Sequence, residues 1–133
     1  MADVTLKRLK SRSQFQAVLG GQTVSKTSHF AMHCKAVDIT LPGELHPLFT
    51  PGVWLGAMVP KRWAKRAVTR NSIKRQIYAI GMGLNLCSPS AAYVVRLRQE
   101  FSRKNFPSAS SVTLQEAVRA ELIDLMRRGL KEN

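Results

Sequence analysis

Acidic side chains are scarce in this sequence: Asp and Glu together number 8 among 133 residues, against 21 Lys and Arg. The eight are Asp3, Asp38, Glu44, Glu100, Glu116, Glu121, Asp124 and Glu132, and they are scattered along the chain. Metal-dependent phosphodiester cleavage needs carboxylates that hold one or two ions about 3.5–4 Å apart, and metal-free cleavage needs a positioned general base and acid. The spacing therefore argues against a nuclease in its own right, and no catalytic side chain is expected. Cysteine is scarce as well. Cys34 and Cys87 stand alone, which fits two half-buried thiols better than a bridge. No apolar run approaches the ~20 residues of a membrane-spanning helix, and the opening "MADVTLKRLK" lacks the apolar stretch of a signal peptide. A cytoplasmic chain without membrane association is expected. Internal repeats and low-complexity segments are missing too.

What is present is positive charge on a foldable chain. The formal net charge is +13, yet 44% of residues are hydrophobic, too many for a disordered basic tail. The length suits a single domain over residues 1–133 that buries a core without staples, with residues 1–6 and 130–133 as its flexible ends. Such a balance favours a nucleic-acid partner, with an anionic membrane second. The charge is also concentrated. "KRWAKRAVTRNSIKRQ" holds seven basic residues between Lys61 and Arg75 (Lys61, Arg62, Lys65, Arg66, Arg70, Lys74, Arg75), and no acid occurs from Leu45 to Gln99. Basic runs are ordinarily solvated faces, but a long single-sign stretch repels itself unless an anion relieves it.

Periodicity places these residues. "SRSQFQAVLGG" offers Ser13 as a helix cap with Gln16 completing a capping box, and Gly20 and Gly21 as the stop. "SHFAMHCKAV" alternates, with Phe30, Met32 and Cys34 on one face of a strand and His29, His33 and Lys35 on the other. Residues 38–52, rich in Pro and Gly, form a loop with room for one short strand. "VWLGAMVP" and "AAYVVRLR" are apolar strands. From Arg66 to about Leu84 the period is helical, Ile73, Ile77, Ile80 and Leu84 forming the apolar stripe. On that helix Arg70, Asn71, Lys74, Arg75 and Tyr78 sweep an adjoining arc of about 140°. The last helix starts from a Thr113–Glu116 capping box, buries Leu114, Val118, Leu122, Leu125 and Met126, and stops at Gly129. One sheet with the helices packed on one side satisfies this order. Its opposite face stays partly open as a groove flanked by the first helix.

"HFAMHC" invites a metal reading. On a strand, however, His29 and His33 stand about 13 Å apart and Cys34 points the other way, whereas zinc ligands lie about 2.0–2.3 Å from the ion. No metal bound by the protein is expected.

"RLKSRSQFQAVL", "LGAMVPKR" and "AKRAVTRNSIKRQIYA", in that order and at these distances, resemble the bacterial ribonuclease P protein component. The resemblance covers most of the chain, from Arg8 to the final helix. It implies an α+β fold, an α-β-β-β-α-β-α two-layer sandwich like domain two of a ribosomal protein, with a left-handed β-α-β crossover. It implies a monomeric protein subunit that assists 5′ maturation of tRNA, its partners being a catalytic RNA and the 5′ leader of precursor tRNA. Mg²⁺ would be held mainly by that RNA. The family's RNA-facing motif falls on Arg70, Asn71, Lys74 and Arg75, with Lys61, Arg62, Lys65 and Arg66 on the approach. Ser72 stands where the family usually has a third basic residue. The family's aromatic-lined leader cleft falls on Phe15, Leu19 and His33, of which Phe15 alone keeps the aromatic ring. The alternative from another class is a structural, ribosome-associated RNA-binding protein of similar fold.

Overall fold

Apolar residues recur at every second position in the longer strands and every three to four positions in the longer helices, and the fold buries both sets against each other. The computed structural model describes residues 6–36, 52–83, 90–102 and 112–131. Its elements are β1 (Leu6–Arg8), α1 (Arg12–Leu19), β2 (Gln22–Lys26), β3 (Phe30–Ala36), β4 (Gly52–Met58), α2 (Ala67–Gly83), β5 (Ser90–Leu97) and α3 (Val112–Lys131). After β1 the order is the expected α-β-β-β-α-β-α. The strands form one sheet in the order β1-β4-β5-β3-β2. β1 and β5 pair with β4 in parallel, while β3 pairs antiparallel with both β5 and β2. The parallel neighbours β4 and β5 are connected through α2, which is the crossover.

Two strands come as additions. β1 is three residues, too short to show alternation. β2 carries one buried apolar residue, Val24, and its register shifts between Thr23 and Ser25, so a bulge breaks the period that would have marked it. Its polar composition suits an edge strand. The short strand anticipated within residues 38–52 falls outside the described residues, apart from Gly52, which opens β4.

The large core lies between one face of the sheet and α2 and α3. Met32, Leu55, Tyr93 and Val95 from the sheet meet Ile73 and Ile77 of α2 and Leu122, Leu125 and Met126 of α3, all buried. Each such side chain contributes about 1.5–3 kcal/mol when fully buried. A smaller cluster of Leu9, Val18, Ala92 and Val94 occupies the other face under α1. The helices are thus not all on one side. α1 has only Val18 fully buried, and it covers part of a face that the larger helices leave open.

Local signals shifted by a residue or two. The sequence "SRSQFQ" contains the capping-box pattern twice, and the chain uses the first: Gln14 donates its backbone N–H to Ser11 Oγ and accepts the Ser11 N–H at Oε1, 3.1 Å away. Ser13 lies inside α1, which stops before Gly20 as anticipated. α3 begins at Val112, so Thr113 is inside it, and it runs through Gly129 to Lys131. Gly129 acts by closeness instead of by ending the helix. A Cβ there would stand 2.7 Å from Met32 Sδ and 3.3 Å from Val24 Cγ2, so the absent side chain lets α3 settle onto β2 and β3.

Candidate nucleic-acid interface

Pro60 ends the run of β4 and starts a tight turn, in which the N–H groups of Trp63 and Ala64 both donate to the Pro60 carbonyl. Ala64 is buried and Trp63 packs on the large core. These two anchors leave Lys61, Arg62, Lys65 and Arg66 exposed. The Arg62 guanidinium lies over the Trp63 ring at 5.2 Å, a contact that restrains an otherwise mobile cation. Along α2 the stripe of Ile73, Ile77 and Ile80 is buried, and Asn71, Lys74 and Arg75 are exposed.

Arg70 differs from its neighbours. It is half-buried, and its Nη1 donates to the carbonyls of Ala64 and Lys65 at 3.0 and 2.8 Å. The side chain therefore ties the basic turn to α2 and fixes where the turn's cations stand. Arg75 points another way, lining a groove of about 410 Å³ between α2 and α3 with Ser72, Gln115, Glu116 and Arg119. The predicted cluster is thus one compact group, Lys61 to Arg70, with Lys74 beside it and Arg75 turned toward α3.

The first turn of α2 contains no acid. Basic side chains at the positive end of a helix dipole are mutually unfavourable, and an anion such as phosphate relieves both. Arg8 adds a cation that the motif did not predict. Its guanidinium lies 4.1 Å from the centroid of the Tyr78 ring, and the Tyr78 hydroxyl accepts the Ala57 N–H at 3.2 Å.

The second region is the face of the sheet that carries α1. Phe15 and Leu19 are half-buried and pack on the smaller cluster. The Phe15 ring rests on Gly56, where a Cβ would come within 2.6 Å of its Cε1. Glycine on β4 is what allows the ring to lie down on the sheet. Trp54 is on this face too, one register row away, with Lys7 Nζ 5.4 Å from its ring centroid.

His33 is only 6% exposed. Its Nε2 is 2.9 Å from Arg96 Nε and its Nδ1 is 3.2 Å from Thr23 Oγ1. Since Arg Nε–H can only donate, Nε2 must accept, so the proton sits on Nδ1 and is donated to Thr23. Burial first, then the charges of Arg96 and Lys26, push the His33 pKa below its ordinary value. The ring is neutral in the fold and protonates more readily in the unfolded chain. Its contribution to stability is complete above the ordinary histidine range near pH 6.5, and is lost as pH falls through the lowered folded value. Melting temperature should therefore drop on acidification from pH 7 to pH 5 more steeply in wild type than in His33→Gln, which keeps an acceptor and a donor but does not titrate. Parallel pH profiles would refute this.

His29 is structural. His29 Nδ1 donates to Glu121 Oε1 at 2.7 Å and its ring stacks on Phe101, while Glu121 Oε2 also accepts from the His29 N–H and the Thr27 hydroxyl. Burial raises the Cys34 thiol pKa, with a Tyr93 hydrogen bond opposing. Cys87 lies outside the described residues. Among the described residues no three of His, Cys, Asp and Glu come together in a way that could hold a metal ion, and no helix is long and apolar enough to cross a membrane.

Arg8, Trp54 and Arg96 are the side chains that motif reasoning passed over. Arg96 alone left a signal, as a cation within the apolar run "AAYVVRLR" on the same alternation as Ala92 and Val94.

Comparison with known proteins supports one lineage. The family model described as Ribonuclease P matches residues 5–121. A ribonuclease P protein component from Bordetella parapertussis is 32% identical over 115 residues, covering 86% of this chain and 85% of its own. The one from Burkholderia mallei is 26% identical, covering 94% and 83%. Among solved structures, the RNase P protein of Staphylococcus aureus superposes with a TM-score of 0.62 at 22% identity, covering 90% of this chain and 92% of that one. That of Thermotoga maritima gives 0.57 at 18% identity, covering 90% and 97%. At those identities the two structures speak for the fold.

Proposed function

Because the chain belongs to the ribonuclease P protein component family and is thereby the protein subunit of a tRNA-processing endoribonuclease, we propose that its task is binding, with hydrolysis performed by an RNA partner. The observation that carries this reading is the cation cluster from Lys61 to Arg70, built on a turn that Arg70 itself braces and that no acid in α2's first turn neutralises. Lys61, Arg62, Lys65, Arg66, Arg70, Lys74 and Arg75, with Asn71 supplying a directional hydrogen bond, engage phosphates of a catalytic RNA. Neutralising those phosphates lets two polyanions, the catalytic RNA and precursor tRNA, approach each other at lower salt and Mg²⁺.

The second surface, with Phe15, Leu19, Trp54 and His33 on the α1 face, receives the 5′ leader. Phe15 and Trp54 are its stacking rings. His33 contributes from beneath, its edges being taken by Thr23 and Arg96. Mg²⁺ belongs with the RNA on this view. Of this chain's carboxylates, Glu121 is occupied by the β2–β3 turn and Asp124 pairs with Arg128 at 3.0 Å, so neither is part of an ion-binding set. The setting is the cytoplasm, where tRNA is processed.

Sequencing the RNA that co-purifies with the chain tests the assignment. A single species that, with this protein, matures the 5′ end of tRNA is expected. Recovery of ribosomal RNA would instead support a ribosome-associated role.

A further inference from the structure

Arg96 is a cation with one end fastened and, among the described residues, no acid paired with it. Its Nε–H donates to His33 Nε2, which leaves the ring proton on Nδ1, where Thr23 accepts it. Among the described residues no salt bridge reaches Arg96 or Lys26. The register puts Met58 beside Arg96, Arg96 beside Ala31, and Ala31 beside Lys26, so these four make one row across β4, β5, β3 and β2. Ala31 is the small residue between the two cations. Met58 is followed, after Val59 and Pro60, by the basic turn at Lys61. The row therefore lies at the end of the sheet where that turn begins.

We infer that Arg96, positioned by the neutral His33 ring, binds a phosphate of single-stranded RNA crossing the α1 face, and so links the cleft to the basic turn. With Nε–H committed to His33, the two terminal amino groups remain to meet phosphate oxygens. A part-buried arginine–histidine contact that served packing alone would bring a cation beside a desolvated ring with no anion among the described residues to offset it, and burial together with the Arg96 charge is what lowers the His33 pKa. Lys26 extends the positive row toward the sheet edge. The cleft thereby grips the leader by backbone charge where an aromatic platform is missing. This inference rests on the proposed leader-binding role.

The test is the affinity of the reconstituted holoenzyme for precursor tRNA relative to mature tRNA. In Arg96→Gln the precursor advantage should shrink about fivefold at 0.1 M salt, and its log-log salt slope should flatten by ~0.7, the value for one single-strand phosphate contact. Precursor carrying neutral methylphosphonate linkages through its leader should be bound equally by wild type and Arg96→Gln. His33→Phe, which keeps the ring but loses the acceptor, should reproduce the loss, and His33→Gln should restore most of it. The double variant Arg96→Gln/His33→Phe should be no worse than Arg96→Gln. Melts check that every variant is folded. A precursor advantage unchanged in folded Arg96→Gln would overturn the assignment of Arg96 alone. A wild-type holoenzyme that does not distinguish precursor from mature tRNA would overturn the leader reading itself, and this inference with it.

Discussion

Replacing Arg70, Lys74 and Arg75 together by alanine should flatten the log-log salt dependence of catalytic-RNA binding by ~2–3 units, at about 0.7–0.9 per phosphate contact. At 0.1 M salt that corresponds to roughly a hundredfold or greater loss of affinity. The structure divides this effect unequally. Lys74 and Arg75 are exposed, and their removal subtracts charge alone. Arg70 also holds the carbonyls of Ala64 and Lys65, so its loss frees the turn that displays Lys61, Arg62, Lys65 and Arg66. Arg70→Ala should therefore cost more than either Lys74→Ala or Arg75→Ala. Arg70→Lys should recover the charge but not the brace, because the shorter, flexible lysine stem does not fix its ammonium where the planar guanidinium holds Nη1 against both carbonyls. Titration of labelled RNA across a salt series, with a melt for each variant, provides the measurement. An unchanged slope would mean that this side of α2 faces solvent in the complex.

The largest difference expected is between the protein without RNA and the protein with it. Rigorously RNA-free protein in Mg²⁺ should produce no detectable cleavage of precursor tRNA, and addition of the catalytic RNA should restore cleavage at the mature 5′ end. Enzymes accelerate their reactions by at least about a millionfold, and such a factor requires ions or proton-transfer groups placed against the scissile phosphate. Here Glu121 is bound by three hydrogen-bond donors from the β2–β3 turn and Asp124 faces Arg128, so both carboxylates are engaged within the fold. Cleavage at the mature 5′ end by RNA-free protein would contradict the division of labour.

The position of Arg96 also bears on how these two surfaces cooperate. α2 packs on one face of the sheet and α1 on the other, so an RNA strand held in the cleft and an RNA held by α2 would otherwise be on opposite sides. The turn at Lys61 rounds the end of the sheet, and the row Met58, Arg96, Ala31, Lys26 starts beside it. Basic residues thereby stand at this end of the sheet on both the α2 side and the cleft side, as the proposed role of bringing two polyanions together requires.

Much of this could be seen in the linear chain because it depends on neighbours. The isoleucine stripe of α2, the alternation of Phe30, Met32 and Cys34, and the apolar face of α3 are set by spacing within a few residues, and all turn to the core as that spacing requires, Cys34 only partly buried. The concentration of Lys and Arg between Lys61 and Arg75 is likewise local, and with it the choice of a polyanionic partner. Other features arise from residues far apart. β1 is a strand because β4 offers it an edge, and β2 because β3 does. Nothing within "LKR" or "QTVSK" outweighs the rest of the chain in that choice, since strand preference is chiefly a matter of what the strand packs against. Gly129, which has the composition of a helix stop, is retained inside α3 because Met32 and Val24 need its missing Cβ. Arg70, placed by the helical wheel on the basic arc beside the isoleucine stripe, turns back onto carbonyls five and six residues earlier. His33 and Arg96 are 63 positions apart, and only the pairing of β3 with β5 sets one ring nitrogen opposite one guanidinium. Charge and periodicity are carried by the chain in order, whereas hydrogen-bond partners, tautomers and close approaches come from the closing of the sheet, which brings distant residues within 3 Å.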